Sequence, residues 1–511
     1  MDFAGEIGCS LAGRFWEATL RYGSNPALEL GDRQFTYMEL YQAAASLSHA
    51  ILDLEDPNPY VGIMADKSFT CYAGILGILM AGKAYLPLNP RFPAGRNRYM
   101  LEKARTRVII AGESSDDELE QVLENYTSEI FIVFPEETGQ IQSLVPVPKI
   151  VSPGDPAYLL FTSGTTGNPK GVPVTNGNVA SYLDNMQSLY EFGTADRFTQ
   201  LFDLTFDLSV HDLFLAWSSG ACLVVPGDNS SFAMARFIRE KQPTVWFSVP
   251  SVVMLMDRMR LLKAGAYPSV RLSFFCGEAL QDRYAKAWQN AAPGSRLVNL
   301  YGPTEATIAI SHYELPGDPG NWKKAQGIIS IGRVFNGNSF MLRSESIQDG
   351  PGELCLSGSQ VVSGYFEHAE ADRDAFFIDA DTGENWYKTG DLVKIDGEGD
   401  LFFTGRKDAE VKISGYRVNL KEIENVISGY DLIEQAVVVF EQAADGQGTV
   451  IAFVQADKQA RPVEKDLDAF CRLRLPWYMV PGKFIFVEDI PLNVNGKTDQ
   501  AALLKIHRDG K

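Results

Sequence analysis

The sequence has no apolar run approaching the roughly 20 residues that a membrane-spanning helix requires, so no membrane span is expected. Its N-terminus, Met1-Asp-Phe-Ala-Gly-Glu-Ile-Gly, is acidic and lacks a basic segment followed by an apolar one, which argues against a signal peptide. Cysteine is sparse. The six residues Cys9, Cys71, Cys222, Cys276, Cys355 and Cys471 form no CxxC and no close pair, the pattern of reduced thiols in a cytoplasmic protein. Five scattered histidines offer no metal-ligand spacing. Positive charge is in deficit, 46 Lys and Arg against 65 Asp and Glu for a net charge of -19. That argues against a nucleic-acid binder, which needs a basic face. Fixed-period repeats and low-complexity tracts are absent as well.

What is present is an ample core: 45% of the 511 residues are hydrophobic and 22% are charged. The length predicts roughly two to four domains. Helical and strand-like patterns alternate to about residue 330. Leu40–Leu52 and Ser68–Met80 read as helices; Tyr60–Met64, Val108–Ala111, Ile130–Val133, Cys222–Val225, Thr244–Val249 and Leu272–Phe275 read as buried strands. The expected class is α/β, layered helices on mostly parallel sheets. Past about residue 330 short strands with Gly turns take over, as in Gly352–Gly358 and Asp400–Gly405. A second boundary falls near Arg406-Lys407-Asp408. Beyond it, Val411–Ile413, a helix at Leu420–Ser428, strands at Ala436–Phe440 and Thr449–Gln455, and a helix at Glu464–Leu473 predict a small α+β unit. The predicted plan is therefore a large body over 1–405 that includes a small β-rich part, a hinge over 406–408, and a small mobile domain over 409–511.

The stretch richest in chemistry is Leu160-Phe-Thr-Ser-Gly-Thr-Thr-Gly-Asn-Pro-Lys-Gly171. A buried strand runs into a loop whose glycines let backbone N–H groups converge. Thr162, Ser163, Thr165 and Thr166 add hydroxyls, and Lys170 adds a point charge; such a loop suits nucleotide phosphates. No Gly-Lys-Ser/Thr closes it, so it is not a Walker A loop. Six further clusters follow in order: Phe206-Asp-Leu-Ser-Val-His-Asp212, Asn299-Leu-Tyr-Gly-Pro-Thr-Glu305, Trp386-Tyr-Lys-Thr-Gly-Asp391, Gly405-Arg-Lys-Asp408, Val411-Lys-Ile-Ser-Gly-Tyr-Arg417 and Pro491-Leu-Asn-Val-Asn-Gly-Lys497.

In this order the motifs closely resemble the adenylate-forming superfamily of acyl- and aryl-CoA synthetases, peptide-synthetase adenylation domains and luciferases. The resemblance runs from Met80-Ala-Gly-Lys-Ala-Tyr-Leu-Pro-Leu-Asn89 to Lys497. It is strongest to amino-acid adenylation enzymes, and Phe206–Val210 with Phe274–Leu280 resembles the stand-alone D-alanine:carrier-protein ligases. It implies two steps: a substrate carboxylate attacks the α-phosphorus of ATP to give an acyl adenylate, and a phosphopantetheine thiol then displaces AMP. By resemblance Lys497 bridges carboxylate and α-phosphate. Thr162, Ser163, Gly164, Thr165, Thr166 and Lys170 hold the outer phosphates, and Glu305 binds Mg²⁺. Tyr301 stacks on adenine, with Asn299, Gly302 and Thr304 beside it on the nucleotide side. Asp391, assisted by Arg406, accepts the ribose hydroxyls. Asp408 is the hinge of a domain swing that brings Lys412 and Gly415 to the thiol's entry tunnel.

Asp207 separates the classes within this superfamily. A buried carboxylate needs a partner, and in the amino-acid-activating members the matching aspartate pairs with the α-ammonium. The competing reading makes it the cap of a helix begun near Ser209. The rest of the implied pocket is Leu208, His211, Phe247, Phe274, Cys276, Gly277, Leu300, Ile308 and Ala309, apolar apart from His211. Two phenylalanines make it shallow. His211 either donates to a substrate hydroxyl or satisfies a neighbouring polar group. The implied substrate is a small neutral amino acid (alanine or D-alanine, serine, glycine or proline). Phe247 and His211 depart from the residues typical of D-alanine ligases. No Asp-Ser-Leu attachment segment follows Lys497, which implies a carrier protein acting in trans. Two alternatives remain open: an acyl- or aryl-CoA ligase, and a non-catalytic nucleotide-binding scaffold.

Overall fold

The computed structural model describes residues 10–112, 115–124, 126–134, 147–164, 168–227, 231–343, 350–408, 410–442, 448–456, 462–491 and 498–509. It is α/β throughout and falls into two compact units. The first takes in Met1–Pro90, Leu101–Phe161 and Gly171–Lys407; the second takes in Arg91–Met100, Thr162–Lys170 and Asp408–Lys511.

Within the first unit a nine-stranded sheet supplies most of the frame. Its centre is parallel: Val245–Ser248 pairs with Leu272–Phe275, which pairs with Arg296–Tyr301. These strands are buried on both faces and rich in aromatic and β-branched residues, the composition expected where helices cover both sides. A second, six-stranded sheet holds Tyr60–Met64 between Ala84–Leu88 and Val108–Ile110, all parallel, and ends on Pro156–Thr162 and Lys170–Thr175. A third, antiparallel sheet is formed by Asn338–Arg343, Gly352–Gly358, Phe376–Ile378, Asn385–Ile395 and Leu401–Arg406.

Local signals set the helices that pack on these sheets. Thr36 and Glu39 form a reciprocal capping box that starts helix Tyr37–Asp53. Ser68 caps Phe69–Met80, which is buried almost all round. The two helices cross closely because position 77 is glycine; a Cβ there would lie 2.8 Å from the Ala44 carbonyl oxygen. No helix among the described residues is long and apolar enough to cross a membrane.

The second unit carries a two-stranded hairpin, Glu410–Ile413 with Tyr416–Asn419, and a three-stranded sheet of Ile433–Gln442, Gly448–Ala456 and Lys483–Val487. The hairpin turns on Ser414 (φ 50°) and Gly415 (φ 85°), the double left-handed geometry that matches strand twist in a two-residue turn. Val418, Ile423, Ile427, Val438, Ala452 and Leu467 form its core.

The described cysteines, Cys71, Cys222, Cys276, Cys355 and Cys471, are all free and buried. Burial raises the thiol of Cys71 well above its ordinary value, those of Cys222 and Cys471 to about 12, and that of Cys355 to about 11.

Candidate active site

Three buried carboxylates of the first unit are each held by a group distant in sequence. Asp207 and Glu305 follow parallel strands, on the side where α/β sheets place their ligands, and Asp391 lies within an antiparallel strand. Asp207 is only 3% exposed. It stands at the N-cap of helix Leu208–Ser218, yet its side chain makes no capping bond; Oδ2 accepts the Ile308 N–H at 3.2 Å. The carboxylate is thus tied to the segment after strand Arg296–Tyr301 rather than to its own helix.

That segment is conformationally costly. Thr307 (φ 55°) and Ile308 (φ 70°) are consecutive β-branched residues in left-handed backbone, each costing of order 1–3 kcal/mol. Gln360 holds them in place. Its Nε2 donates to the Ala309 carbonyl at 2.7 Å, and its own carbonyl accepts the Thr307 hydroxyl at 2.6 Å. Gly302 lets the strand end lie against the returning chain, since a Cβ there would sit 2.5 Å from Ala309 Cα.

Asp391 is the second carboxylate. Its Oδ2 accepts the Tyr301 hydroxyl and its Oδ1 accepts Arg406 Nη1, each at 2.5 Å. Burial and the adjacent Asp391 charge raise the Tyr301 phenol well above its ordinary range, so it stays a proton donor. Strand register produces the second contact, because Asp391 lies directly across the ladder from Arg406. Glu305 is the third. It sits in the one-turn helix Thr304–Ala306, is 1% exposed, and accepts the Tyr365 hydroxyl at 2.7 Å through Oε1. Asn299 donates to the Ser330 carbonyl at 2.8 Å, and its Oδ1 meets no hydrogen-bond partner among the described residues.

The apolar residues predicted for the pocket share one buried core cluster. Leu208, Phe247, Phe274, Cys276, Leu300, Ile308 and Ala309 are all buried. Gly277 has φ 88°, turning the chain sharply after Cys276. The His211 ring lies 4.3 Å from that of Phe247 and 5.0 Å from that of Phe274. His211 is fully buried, and desolvation lowers its pKa to about 3, so the imidazole is neutral. Its Nδ1 is 2.6 Å from the Tyr182 hydroxyl.

Other predicted residues lie in the second unit. Thr162 ends its strand; the Ser163 hydroxyl donates to the Arg417 carbonyl at 2.6 Å and accepts the Asn419 N–H at 3.2 Å. The Gly164 N–H donates to Glu422 at 3.3 Å, and Lys170 is buried at the start of its strand. Lys412 is half-buried in the hairpin whose turn contains Gly415. Asp408, the first residue of the C-terminal segment of this unit, accepts the Glu410 N–H at 3.2 Å. Thr165, Thr166 and Lys497 lie outside the described residues. Sequence reasoning missed Tyr182, Gln360 and Tyr365. Each acts on a partner at least 29 residues away, and none belongs to a motif that would single it out.

Comparison with known proteins places this geometry. Residues 15–366 match the AMP-binding enzyme family, and residues 422–497 match the AMP-binding enzyme C-terminal domain. The chain is 32% identical to tyrocidine synthase 3 of Brevibacillus parabrevis over 95% of its own length but only 7% of that protein. It is 30% identical to the zwittermicin A synthase ZmaJ of Bacillus cereus, covering 97% of this chain and 94% of that one. Among solved structures it resembles the Vibrio cholerae adenylation domain AlmE in complex with glycyl-adenosine-5'-phosphate, at 31% identity and a TM-score of 0.88 over 98% of both chains.

Proposed function

The chain belongs to the AMP-binding enzyme family and is adenylate-forming, of the peptide-synthetase adenylation type; from this premise we propose that it activates a small neutral amino acid as its adenylate and passes it to the phosphopantetheine thiol of a separate carrier protein. The observation that carries the amino-acid reading is Asp207, a carboxylate only 3% exposed whose Oδ2 accepts the Ile308 N–H. A charge there is stabilised by the α-ammonium of an amino acid and by nothing a plain acid brings. The glycyl adenylate in the related AlmE structure supports a small substrate.

In the proposed reaction the amino acid's carboxylate oxygen attacks the α-phosphorus, the bond to the bridging oxygen of pyrophosphate breaks, and pyrophosphate leaves. Both reactants are anions, so the site must supply positive charge and alignment. Lys497 takes that role. Asp391, preset by Tyr301 and Arg406, accepts the ribose hydroxyls, and the Tyr301 ring carries the adenine. Asn299, Gly302 and Thr304 complete the nucleotide wall, and the loop Thr162–Lys170 takes the outer phosphates. Glu305 offers the hard oxygen that Mg²⁺ prefers, and Tyr365 orients it. Mg²⁺ bound there would shield the triphosphate charge.

In the second step the carrier thiol, losing its proton, attacks the acyl carbon, and the carbon–oxygen bond to AMP breaks. We assign the turn between the two steps to the 406–408 hinge, with Lys412 and Gly415 lining the thiol's path. The test is acid-dependent exchange of labelled pyrophosphate into ATP. Exchange confined to small amino acids supports the reading; exchange with plain fatty or aryl acids alone moves the protein to the CoA ligases; silence with every acid favours a nucleotide-binding scaffold.

A further inference from the structure

We infer that Tyr182 and His211 form a hydroxyl-reading pair, and that the activated amino acid carries a short side-chain hydroxyl, as serine does. The inference rests on the amino-acid reading of Asp207 given above. His211 Nε2 is buried and meets no hydrogen-bond partner among the described residues, whereas Nδ1 is engaged by Tyr182 at 2.6 Å. An unmet polar atom in an apolar interior is expensive, so such a site favours a ligand that meets it. Position matters equally. Asp207 and His211 are four residues apart at the start of one helix, which puts both on the same face roughly 5–6 Å apart. That separation suits the distance from an α-ammonium to an atom one or two bonds along its side chain. Phe247 and Phe274 pack on the imidazole, their ring centroids 4.3 Å and 5.0 Å from it.

The chemistry of the ring narrows the ligand further. If Tyr182 donates to Nδ1, Nε2–H needs an acceptor; if Tyr182 accepts from Nδ1–H, Nε2 needs a donor. A hydroxyl meets either requirement. A carboxylate side chain would bring a charge that this neutral, buried imidazole does not compensate. Tyr182 is the positioning residue, since its hydroxyl engages Nδ1 and so holds the rotation of the ring.

The experiment is pyrophosphate exchange with serine and threonine against alanine and 2-aminobutyrate, in the full chain and in His211→Phe and Tyr182→Phe. In the parent, serine or threonine should exceed its hydroxyl-free counterpart by about 100-fold or more in kcat/KM, because a site built to bond a hydroxyl rejects the analogue lacking it. His211→Phe should bring that ratio near one by lowering exchange with the hydroxyl substrates more than with their hydroxyl-free counterparts. Tyr182→Phe, which keeps the imidazole but frees its rotation, should lower the ratio by roughly tenfold, mainly through KM. A parent led by any amino acid without a side-chain hydroxyl overturns the inference and leaves the amino-acid reading standing. So does a ratio unchanged in His211→Phe. Exchange with plain acids alone, or with none, overturns both.

Discussion

Replacing Asp207 by asparagine removes a charge and little else. The amide oxygen can still accept the Ile308 N–H that the carboxylate accepts at 3.2 Å, so the tie between the helix start and the left-handed segment survives. Stability should change by less than about 1 kcal/mol, the worth of one ordinary hydrogen bond. The effect on an ammonium-bearing substrate is of another order. At 3% exposure the pair between carboxylate and α-ammonium is shielded from water, and removing one partner of such a pair costs roughly 3–5 kcal/mol. With tenfold per 1.36 kcal/mol, kcat/KM for the amino acid should fall roughly 150- to 5,000-fold. The same acid without its amino group never used the charge, so its weak exchange should stay constant or rise. The assay is therefore a ratio: pyrophosphate exchange with the best amino acid over exchange with its des-amino analogue, in parent and variant, with the melting temperature as a fold control. A fall of less than tenfold with the amino acid, or an equal fall for both acids, would refute the assignment of Asp207 as the ammonium partner.

Three other outcomes follow from the same geometry. Asp212 is fully buried, and neither carboxylate oxygen has a hydrogen-bond partner among the described residues; burial raises its pKa well above the ordinary value, with Lys67 opposing. A raised folded pKa means that stability is fullest below the unfolded pKa near ~3.9 and declines as pH rises toward the folded value. Asp212→Leu should therefore gain about 1–3 kcal/mol at pH 7.5 and progressively less toward pH 4, as read by urea denaturation at the two pH values. Tyr301→Phe keeps the aromatic face but removes a hydrogen bond to the Asp391 carboxylate. Such a bond contributes about 1.5–3 kcal/mol, so KM for ATP should rise roughly 10- to 150-fold with KM for the amino acid unchanged. In Gly302→Ala the new Cβ would meet backbone at Ala309 rather than a yielding side chain. A loss of about 1–3 kcal/mol in stability is expected, with a lower kcat/KM for the amino acid because Ile308 and Ala309 must shift.

Much of the frame was readable in advance because short runs such as Tyr60–Met64, Cys222–Val225 and Leu272–Phe275 are mostly apolar on both faces, which suits strands covered on both sides. Helix Leu420–Ser428 was equally plain, since its Ile423 and Ile427 fall on one face. Other features depend on contacts that local pattern does not encode. Nothing near Asp207 announces that Ile308, 101 residues on, donates its N–H. No propensity would place Thr307 and Ile308, both β-branched, in left-handed backbone; Gln360 is what holds them there. Tyr301 was chosen for its ring, while the structure adds a role for its hydroxyl on Asp391. His211 left two readings open; in the structure Nδ1 meets the Tyr182 hydroxyl, and Nε2 meets no hydrogen-bond partner among the described residues.

The burial of the cysteines bears on chemoselectivity. An aminoacyl adenylate is a mixed anhydride that acylates any competent sulfur nucleophile it meets, and the nucleophile is the thiolate rather than the thiol. Cys71, Cys222, Cys355 and Cys471 are buried, with thiol pKa values displaced to about 11 and above or well above the ordinary value, so near neutral pH they remain protonated and out of reach. In the transfer proposed here this withholds these four sulfurs from the activated carbonyl. The adenylate then partitions toward the incoming pantetheine thiol instead of being spent on acylating them.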